Sequence, residues 1–140
     1  MPRALQVLRG AAIATAFGLL AGCFTNKQNE GARLYQEHCS NCHGEQGAGL
    51  RRLIPPLAGS DYLSTNRAAL PCILRKGQQG LVVVNAVEYN QVMPPHEDLT
   101  DSQITNILNF LQQSWGNKGE AYTIREVSEL LGACNGSDGR

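Results

Sequence analysis

The sequence predicts a small all-α domain with about four to five helices and one short β-hairpin-like segment. Apolar residues recur at helical spacing from Ile104 to Trp115, and Val82, Val84 and Val87 flank a turn in a strand-like stretch. A third observation is a Cys-x-x-Cys-His motif at residues 39–43, at the end of a helix-like run. The chain contains no internal repeat, and its length suits one domain.

The first 22 residues have the layout of a secretory signal peptide. Arg3 and Arg9 precede an uncharged apolar run over residues 10–21, which is too short to span a bilayer securely. Residues 20–23 resemble the lipobox of bacterial lipoproteins, which implies cleavage before Cys23 and lipidation of that cysteine. Ordinary cleavage nearby, with Cys23 left as a thiol or disulfide partner, is the alternative.

The remaining chain divides by composition into three parts. Residues 23–30 are mostly polar and are expected to form a flexible tether, residues 31–117 the folded domain, and residues 118–140 an extension with a short helix and a frayed tail. Removal of residues 1–22 leaves 10 basic and 12 acidic residues. This balance gives no general attraction to nucleic acid.

The predicted helices follow in order along the domain. The first covers residues 30–42, and a glycine- and proline-rich segment without regular structure follows it up to Gly59. A second helix is predicted within residues 66–77. Because proline fits the first turn of a helix better than its interior, we expect this helix to begin near Leu70, with Pro71 in that turn.

The clearest helix follows the strand-like residues 81–90. Thr100 and Gln103 form a capping-box pattern before it, and Gly116 is expected to end it after Trp115. A last short helix is predicted from the Thr123 cap to Gly132.

The Cys39-x-x-Cys42-His43 motif is of the kind that attaches c-type haem. Its two thiols can form thioethers with one porphyrin, and His43 then lies under the iron as the proximal ligand. A zinc site or a thioredoxin-like dithiol are the alternatives. Zinc would need a second close pair of ligands, and a dithiol enzyme a βαβ context. Without its haem, so small a domain is expected to be poorly folded.

The two remaining cysteines, Cys72 and Cys134, form an even pair in a protein predicted to be exported. A disulfide between them would close a loop of about 62 residues and stabilise the fold by about 4 kcal/mol in the chain-entropy model. The alternative is a buried apolar Cys72 and a free thiol at Cys134.

Met93 is the candidate for the second axial ligand of the iron. It is the one methionine left after the signal peptide, and the two prolines that follow it stiffen its loop. Thioether sulfur is the usual partner of histidine in cytochromes c. A core position for Met93 and ligation by His96 are the alternatives, whereas His38 is tied to the proximal side.

These motifs together make the chain resemble a monohaem class I cytochrome c over residues 30–117. The motifs that carry the resemblance are Gly31-x-x-x-Tyr35, Cys39-x-x-Cys42-His43, Pro55-x-Leu57-x-Gly59, Met93-Pro94 and the helix from Thr100 to Trp115. The resemblance implies the class I cytochrome c fold, with helices around one covalent haem c.

The resemblance also implies roles for individual residues. The carbonyl of Pro55 would accept a hydrogen bond from Nδ1 of His43, and Leu57 would pack on the haem face. Gly31 would let the first helix cross the helix after Thr100 closely. Relatives commonly have Asn-Gly where this chain has Asn85-Ala86, so we expect a different turn there, because alanine is strained at positive φ.

A haem iron with His43 and Met93 as its two axial ligands predicts single-electron transfer between periplasmic or membrane redox proteins, such as an oxidoreductase or oxidase of a respiratory chain. The protein would not be an enzyme, and a lipid on Cys23 would hold it on the periplasmic side of a bacterial membrane. Arg51-Arg52 and Arg75-Lys76 could orient an acidic partner. The alternatives are a haem subunit of a larger respiratory oxidoreductase, or turnover of peroxide or nitrite within one.

Overall fold

The computed structural model describes residues 26–134. The predicted signal peptide, Cys23 and the tail after residue 134 lie outside this range. The helices are α1 (Asn26–His38), α2 (Ser40–His43), α3 (Asp61–Thr65), a 3-10 turn (Arg67–Ala69), α4 (Leu70–Lys76), α5 (Asp101–Gln113) and α6 (Ile124–Ala133). Strands β1 (Val82–Val84) and β2 (Val87–Tyr89) form an antiparallel hairpin in which Val82 pairs with Tyr89. The predicted, mostly helical fold class is confirmed.

Helices α1 and α5 cross at the centre of the core. A Cβ at Gly31 would overlap the carbonyl oxygen of Asn106 and Cβ of Phe110, so the expected close crossing at Gly31 is confirmed. Tyr35 is fully buried beside this crossing, and its ring centre lies 5.4 Å from that of Phe110. Ile104, Ile107 and Leu108 of α5 are also fully buried. Their spacing is the apolar period seen in the sequence.

The first predicted helix differs from the structure at both ends. Helix α1 begins at Asn26, so residues 26–30, predicted as part of the tether, are helical. It ends at His38, and the haem-attachment motif lies mostly on the separate turn α2. Cys39 joins the two helices with φ −121° and ψ −35°, and its amide still donates to the carbonyl of Tyr35. The break reorients the side chains after Cys39.

The middle of the chain contains one helix that the sequence analysis did not predict, α3. The second predicted helix begins as a 3-10 turn and becomes α-helical at Leu70, with Pro71 in the first turn and Gly77 at the end. The expected start near Leu70 is therefore confirmed. Pro71 is accommodated without a kink because the first turn needs no amide donor there.

The turn between β1 and β2 corrects one expectation. Asn85 and Ala86 both adopt positive φ, 50° and 60°, which is the left-handed pair of a type I′ hairpin turn. The expectation of another turn type was wrong. The amide of Asn85 donates to Oδ1 of Asp61 (2.8 Å) and the Asn85 side chain accepts from the Asp61 amide (3.1 Å). These bonds to α3 hold the turn despite the strain at Ala86.

Both capping boxes are present, at Thr100 with Gln103 and at Thr123 with Glu126. Helix α5 ends at Gln113, two residues before the predicted Trp115. The side chain of Asn117 donates to the carbonyl of Leu111 (2.8 Å), and this bond satisfies the backbone at the end of α5.

Helix α6 lies on α4 and α5. A disulfide joins Cys72 of α4 to Cys134, the residue that follows α6, with Cα atoms 5.7 Å apart. Val127 of α6 is fully buried in the same core as Leu70 and Leu74 of α4. Within residues 26–134, no helix has the length and apolar character needed to cross a bilayer.

Candidate functional site

One cavity of about 280 Å³ brings the predicted site residues together. Its lining includes all six of them: Cys39, Cys42, His43, Pro55, Leu57 and Met93. They come from three segments: the junction of α1 and α2, the loop over residues 44–59, and the segment after β2. The rest of the lining is mostly aliphatic and comes from the same loop, from α3, α4, α5 and the hairpin, and from the segments around Gln78 and Met93.

His43 is held by a hydrogen bond on one side of its ring. Its Nδ1 lies 3.0 Å from the carbonyl oxygen of Pro55, an arrangement in which Nδ1 donates and Nε2 carries a lone pair. The side chain is buried, and this burial lowers the pKa of His43 below its ordinary value. The geometry therefore favours a neutral imidazole in a fixed orientation, the form that binds a metal.

The loop between His43 and Pro55 depends on a close approach at Gly49. The Gly49 amide donates to the carbonyl of His43 (2.8 Å), and its φ is +70°. A Cβ there would overlap the carbonyl oxygen of Ile54 and the carbonyl group of Pro55. The glycine thus lets the loop fold back so that Pro55 reaches the imidazole.

Leu57 is fixed by hydrogen bonds at both its amide and its carbonyl. Its amide donates to the carbonyl of Gly47 (2.7 Å), and its own carbonyl accepts from the side chain of Asn117 (2.9 Å). The same amide group of Asn117 also bonds Leu111 of α5. One side chain therefore ties the cavity wall at Leu57 to the end of α5.

Met93 is held by its backbone. Its amide donates to the carbonyl of Gln78 (2.9 Å), and its carbonyl accepts from the Gln78 amide (3.0 Å). Gly77, at the end of α4, has φ +78°, and a Cβ at this position would overlap the carbonyl oxygen of Met93. The segment after α4 therefore sets where the Met93 side chain enters the cavity.

The two rival histidines lie against each other. The ring centres of His38 and His96 are 5.7 Å apart in an edge-on arrangement, and neither residue is among those that line the cavity. The pKa of His96 is lowered, first by burial and then by the nearby His38. His96 is anchored through its amide, which donates to the carbonyl of Leu74 (3.1 Å).

The two motif cysteines differ in exposure. Cys39 is half-buried, and this burial, with Cys42 close by, raises the pKa of the Cys39 thiol to about 12. Cys42 is exposed. Among the described residues neither cysteine is in a disulfide, and no group of three or more His, Cys, Asp or Glu side chains is placed to hold a metal ion. The zinc alternative therefore has no second set of ligands in residues 26–134.

The cavity fits a haem attached through two thioethers. Its walls are apolar, as a porphyrin face requires, and two thiols lie at its edge beside an imidazole with Nδ1 already engaged. A helical fold with such a cavity is that of a c-type cytochrome.

Comparison with known proteins agrees with this class. The family model described as cytochrome c matches residues 28–115. Two cytochromes c-552 of Thermus thermophilus are each 35% identical to the chain, over 80% of it and 81% of the first relative, and over 74% of it and 85% of the second. The chain belongs to the cytochrome c family, and it carries one covalently bound haem c.

A further relative is the cytochrome c subunit of a quinone-type alcohol dehydrogenase from Gluconacetobacter polyoxogenes. It is 30% identical over 71% of this chain, which spans 22% of that subunit's length. A corresponding subunit from Gluconobacter oxydans is 28% identical over 64% of the chain. Membership of the family gives the chain an electron-carrying role, either alone or as part of a complex.

The sequence analysis did not find the residues that support the site through hydrogen bonds with the backbone. Gln78 and Asn117 act through hydrogen bonds with backbone groups far along the chain, and no motif marks them. Gly77 is visible in the sequence as a helix stop, but its contact with Met93 is not.

Proposed function

We propose that the protein carries single electrons between redox proteins, with the haem iron held by His43 and Met93. The observation that carries this proposal is that both side chains line one apolar cavity, from separate segments of the chain. When bound, the haem supplies an iron that alternates between the ferric and ferrous states. The chain's own residues fix the two axial groups and exclude water from the cavity.

The placement of the histidines supports Met93 over His96 as the second ligand. His96 contacts His38 and is absent from the cavity lining, whereas Met93 is part of the lining. The backbone pairing of Met93 with Gln78 restricts the thioether to this side of the domain. With both axial positions occupied by side chains, small oxidants such as peroxide or nitrite would have no coordination site, which favours electron transfer over turnover.

The mouth of the cavity is the natural place for a partner to dock. Leu50, Leu53 and Val92 line the cavity and yet are 50%, 57% and 55% exposed, so they form its rim. Arg51 and Arg52 lie between the two leucines and are exposed. An apolar rim with two cations suits a small, transient contact with an acidic redox partner.

The second pair of basic residues is less suited to docking. Arg75 donates to Oδ1 of Asp101 (2.9 Å), and its side chain is 27% exposed. The structure therefore favours the arginines of the rim over Arg75 as the groups that meet a partner.

The position of the protein in the cell follows from the predicted signal peptide. Cleavage before Cys23 and lipidation of that residue would anchor the domain on the periplasmic side of a bacterial membrane. Helix α1 begins at Asn26, so the described part of the predicted tether is helical. Mass spectrometry of the purified protein tests the lipidation, because a diacylated or triacylated Cys23 peptide is expected and an unmodified one would refute the anchor.

The second candidate function is that of a permanent electron-transfer subunit of a dehydrogenase. The observation in its favour is the 30% identity to a cytochrome c subunit of a quinone-type alcohol dehydrogenase. The two candidates predict different behaviour on mild solubilisation of membranes. A carrier elutes alone, whereas a subunit co-elutes with a quinone-dependent dehydrogenase in a constant ratio.

The ligand assignment is tested with Met93→Ala and, as the matched control, His96→Ala. Methionine bound to ferric haem gives a weak charge-transfer band in the far red, and a bound methionine blocks carbon monoxide from the ferrous iron. Met93→Ala should remove the band and admit carbon monoxide, and His96→Ala should do neither. An unchanged band in Met93→Ala, or its loss in His96→Ala, would refute the assignment.

A further inference from the structure

The residues after α5 form a strap that crosses the back of α4. We define this strap as residues 118–134. Its helix α6 packs through Val127, fully buried, and through Leu131 onto the core that also contains Leu70 and Leu74 of α4. The disulfide between Cys72 and Cys134 closes the far end of the strap onto α4.

The near end of the strap is held by Arg67, just before α4. Its guanidinium donates to the carbonyls of Glu120 (2.6 Å) and Ala121 (3.2 Å) and to the carboxylate of Glu126 (2.9 Å). The guanidinium carbon also lies 3.6 Å above the ring centre of Tyr122, whose hydroxyl donates back to the carbonyl of Arg67. The strap is thus fastened at two points, to Arg67 just before α4 and to Cys72 in the first turn of α4.

The opposite face of α4 borders the haem cavity. Leu70, Ile73 and Leu74 line the cavity, whereas Cys72 carries the disulfide to the strap. Immediately after α4, Gln78 makes both backbone hydrogen bonds to Met93, and the carbonyl of Leu74 accepts from the amide of His96. Helix α4 therefore lies between the strap and the segment that presents Met93.

We propose that the strap, locked by the Cys72–Cys134 disulfide, is a positioning element for the axial methionine. It restrains α4, and α4 in turn holds the Met93 segment at the distance at which the thioether reaches the iron. The inference rests on the ligand pair proposed above. Loosening the strap should leave the fold and the haem attachment intact while Met93 leaves the iron more often.

The test uses the holo-protein with both cysteines replaced, Cys72→Ala with Cys134→Ala, and measures how fast imidazole binds the ferric iron. Imidazole enters when Met93 is off the iron, so the binding rate reports how often the thioether leaves. We expect the rate to rise at least tenfold, about 1.4 kcal/mol in the equilibrium between the bound and free thioether. The charge-transfer band should disappear at a guanidinium concentration below that of global unfolding.

The matched control is Gly31→Ala, whose added Cβ would first meet Asn106 and Phe110 of α5 and so weakens the α1–α5 crossing. It should lower the global unfolding free energy and change the imidazole rate by less than twofold. An unchanged rate in the double variant, or an equal rise in Gly31→Ala, would overturn the strap's role, since the effect would then be absent or a consequence of lower overall stability.

A second variant keeps the test decisive if the double variant does not mature. Glu126→Gln removes the ion pair with Arg67 but keeps a residue able to complete the capping box at Thr123. It should raise the imidazole rate by about threefold, and no rise would overturn the proposal. Absence of the band from the unaltered protein would instead refute Met93 as a ligand, and that failure is visible before any variant is made.

Discussion

The hairpin turn at Asn85-Ala86 contains an alanine in a conformation that alanine disfavours. Ala86 has φ 60°, in the left-handed region, where contact between Cβ and the following carbonyl costs an L-residue about 1 to 2 kcal/mol. Gly59 has nearly the same backbone angle, φ +59°, and a Cβ added there would meet no atom within 4 Å. The chain therefore offers two positions at which glycine and alanine can be exchanged in opposite directions.

The two exchanges should have opposite effects on the unfolding free energy. Ala86→Gly relieves the strain but adds backbone freedom to the unfolded chain, worth about 0.5 to 1 kcal/mol, so we expect a net gain of about 0.5 to 1 kcal/mol. Gly59→Ala introduces the strain without a clash and should lose a similar amount. For a domain of this size, each change corresponds to a few degrees in Tm.

Guanidinium unfolding of the two holo-proteins, followed by circular dichroism, measures both effects. The slope of the unfolding free energy against guanidinium should stay constant, so that the midpoints report stability directly. A loss of stability in Ala86→Gly would refute the strained turn. A gain in both variants would show that general backbone effects, and not the left-handed angle, control the result.

Two further outcomes follow from the structure. Gly77→Ala places a Cβ against the carbonyl of Met93 and should weaken the methionine-to-iron band. Gly80→Ala, at φ +86° with open space around it, is the control and should leave the band unchanged. Absorbance spectra of the two ferric proteins decide this. Hydrogen bonds from Ser128 and then Arg75 lower the pKa of Asp101. The stabilising contribution of this carboxylate is therefore present above its unfolded pKa of about 4 and is lost as the pH falls through the lower folded pKa. Asp101→Asn should therefore flatten the decline in unfolding free energy on acidification, and an unchanged slope would contradict the role of this carboxylate.

The elements found in advance are those whose causes are local in sequence. Thr100 with Gln103 and Thr123 with Glu126 satisfy helix termini within one turn, and both caps are present in the structure. The apolar period of α5 likewise reflects one face of one helix. Such features need no knowledge of the rest of the chain.

The features that were missed depend on contacts between distant residues. Helix α3 is short and has no strong pattern of its own, but Asp61 at its start bonds the turn at Asn85. The same contact explains why Ala86 tolerates positive φ. Helix α5 ends two residues before the predicted Trp115, because Asn117, beyond the helix, bonds the carbonyl of Leu111 and redirects the chain.

The residues of the site likewise divide into those that the local sequence predicts and those that it does not. The motif residues Cys39, Cys42 and His43 follow from their spacing, and the structure places them at one cavity with Met93. The support of Met93 was not predictable from spacing, because Gln78 and Gly77 contact its backbone from about fifteen residues away in sequence.

The central claim is that the Met93 thioether binds the iron as its second axial ligand, with His43 as the first. Labelling of methionine tests this most directly. Met93 is the one methionine outside the predicted signal peptide, so protein labelled with ¹³C-methyl methionine should give a single methyl resonance in the mature ferrous state. Ligation beneath the porphyrin ring predicts a resonance shifted far upfield by the ring current. A methyl resonance at the ordinary position of free methionine would contradict the account.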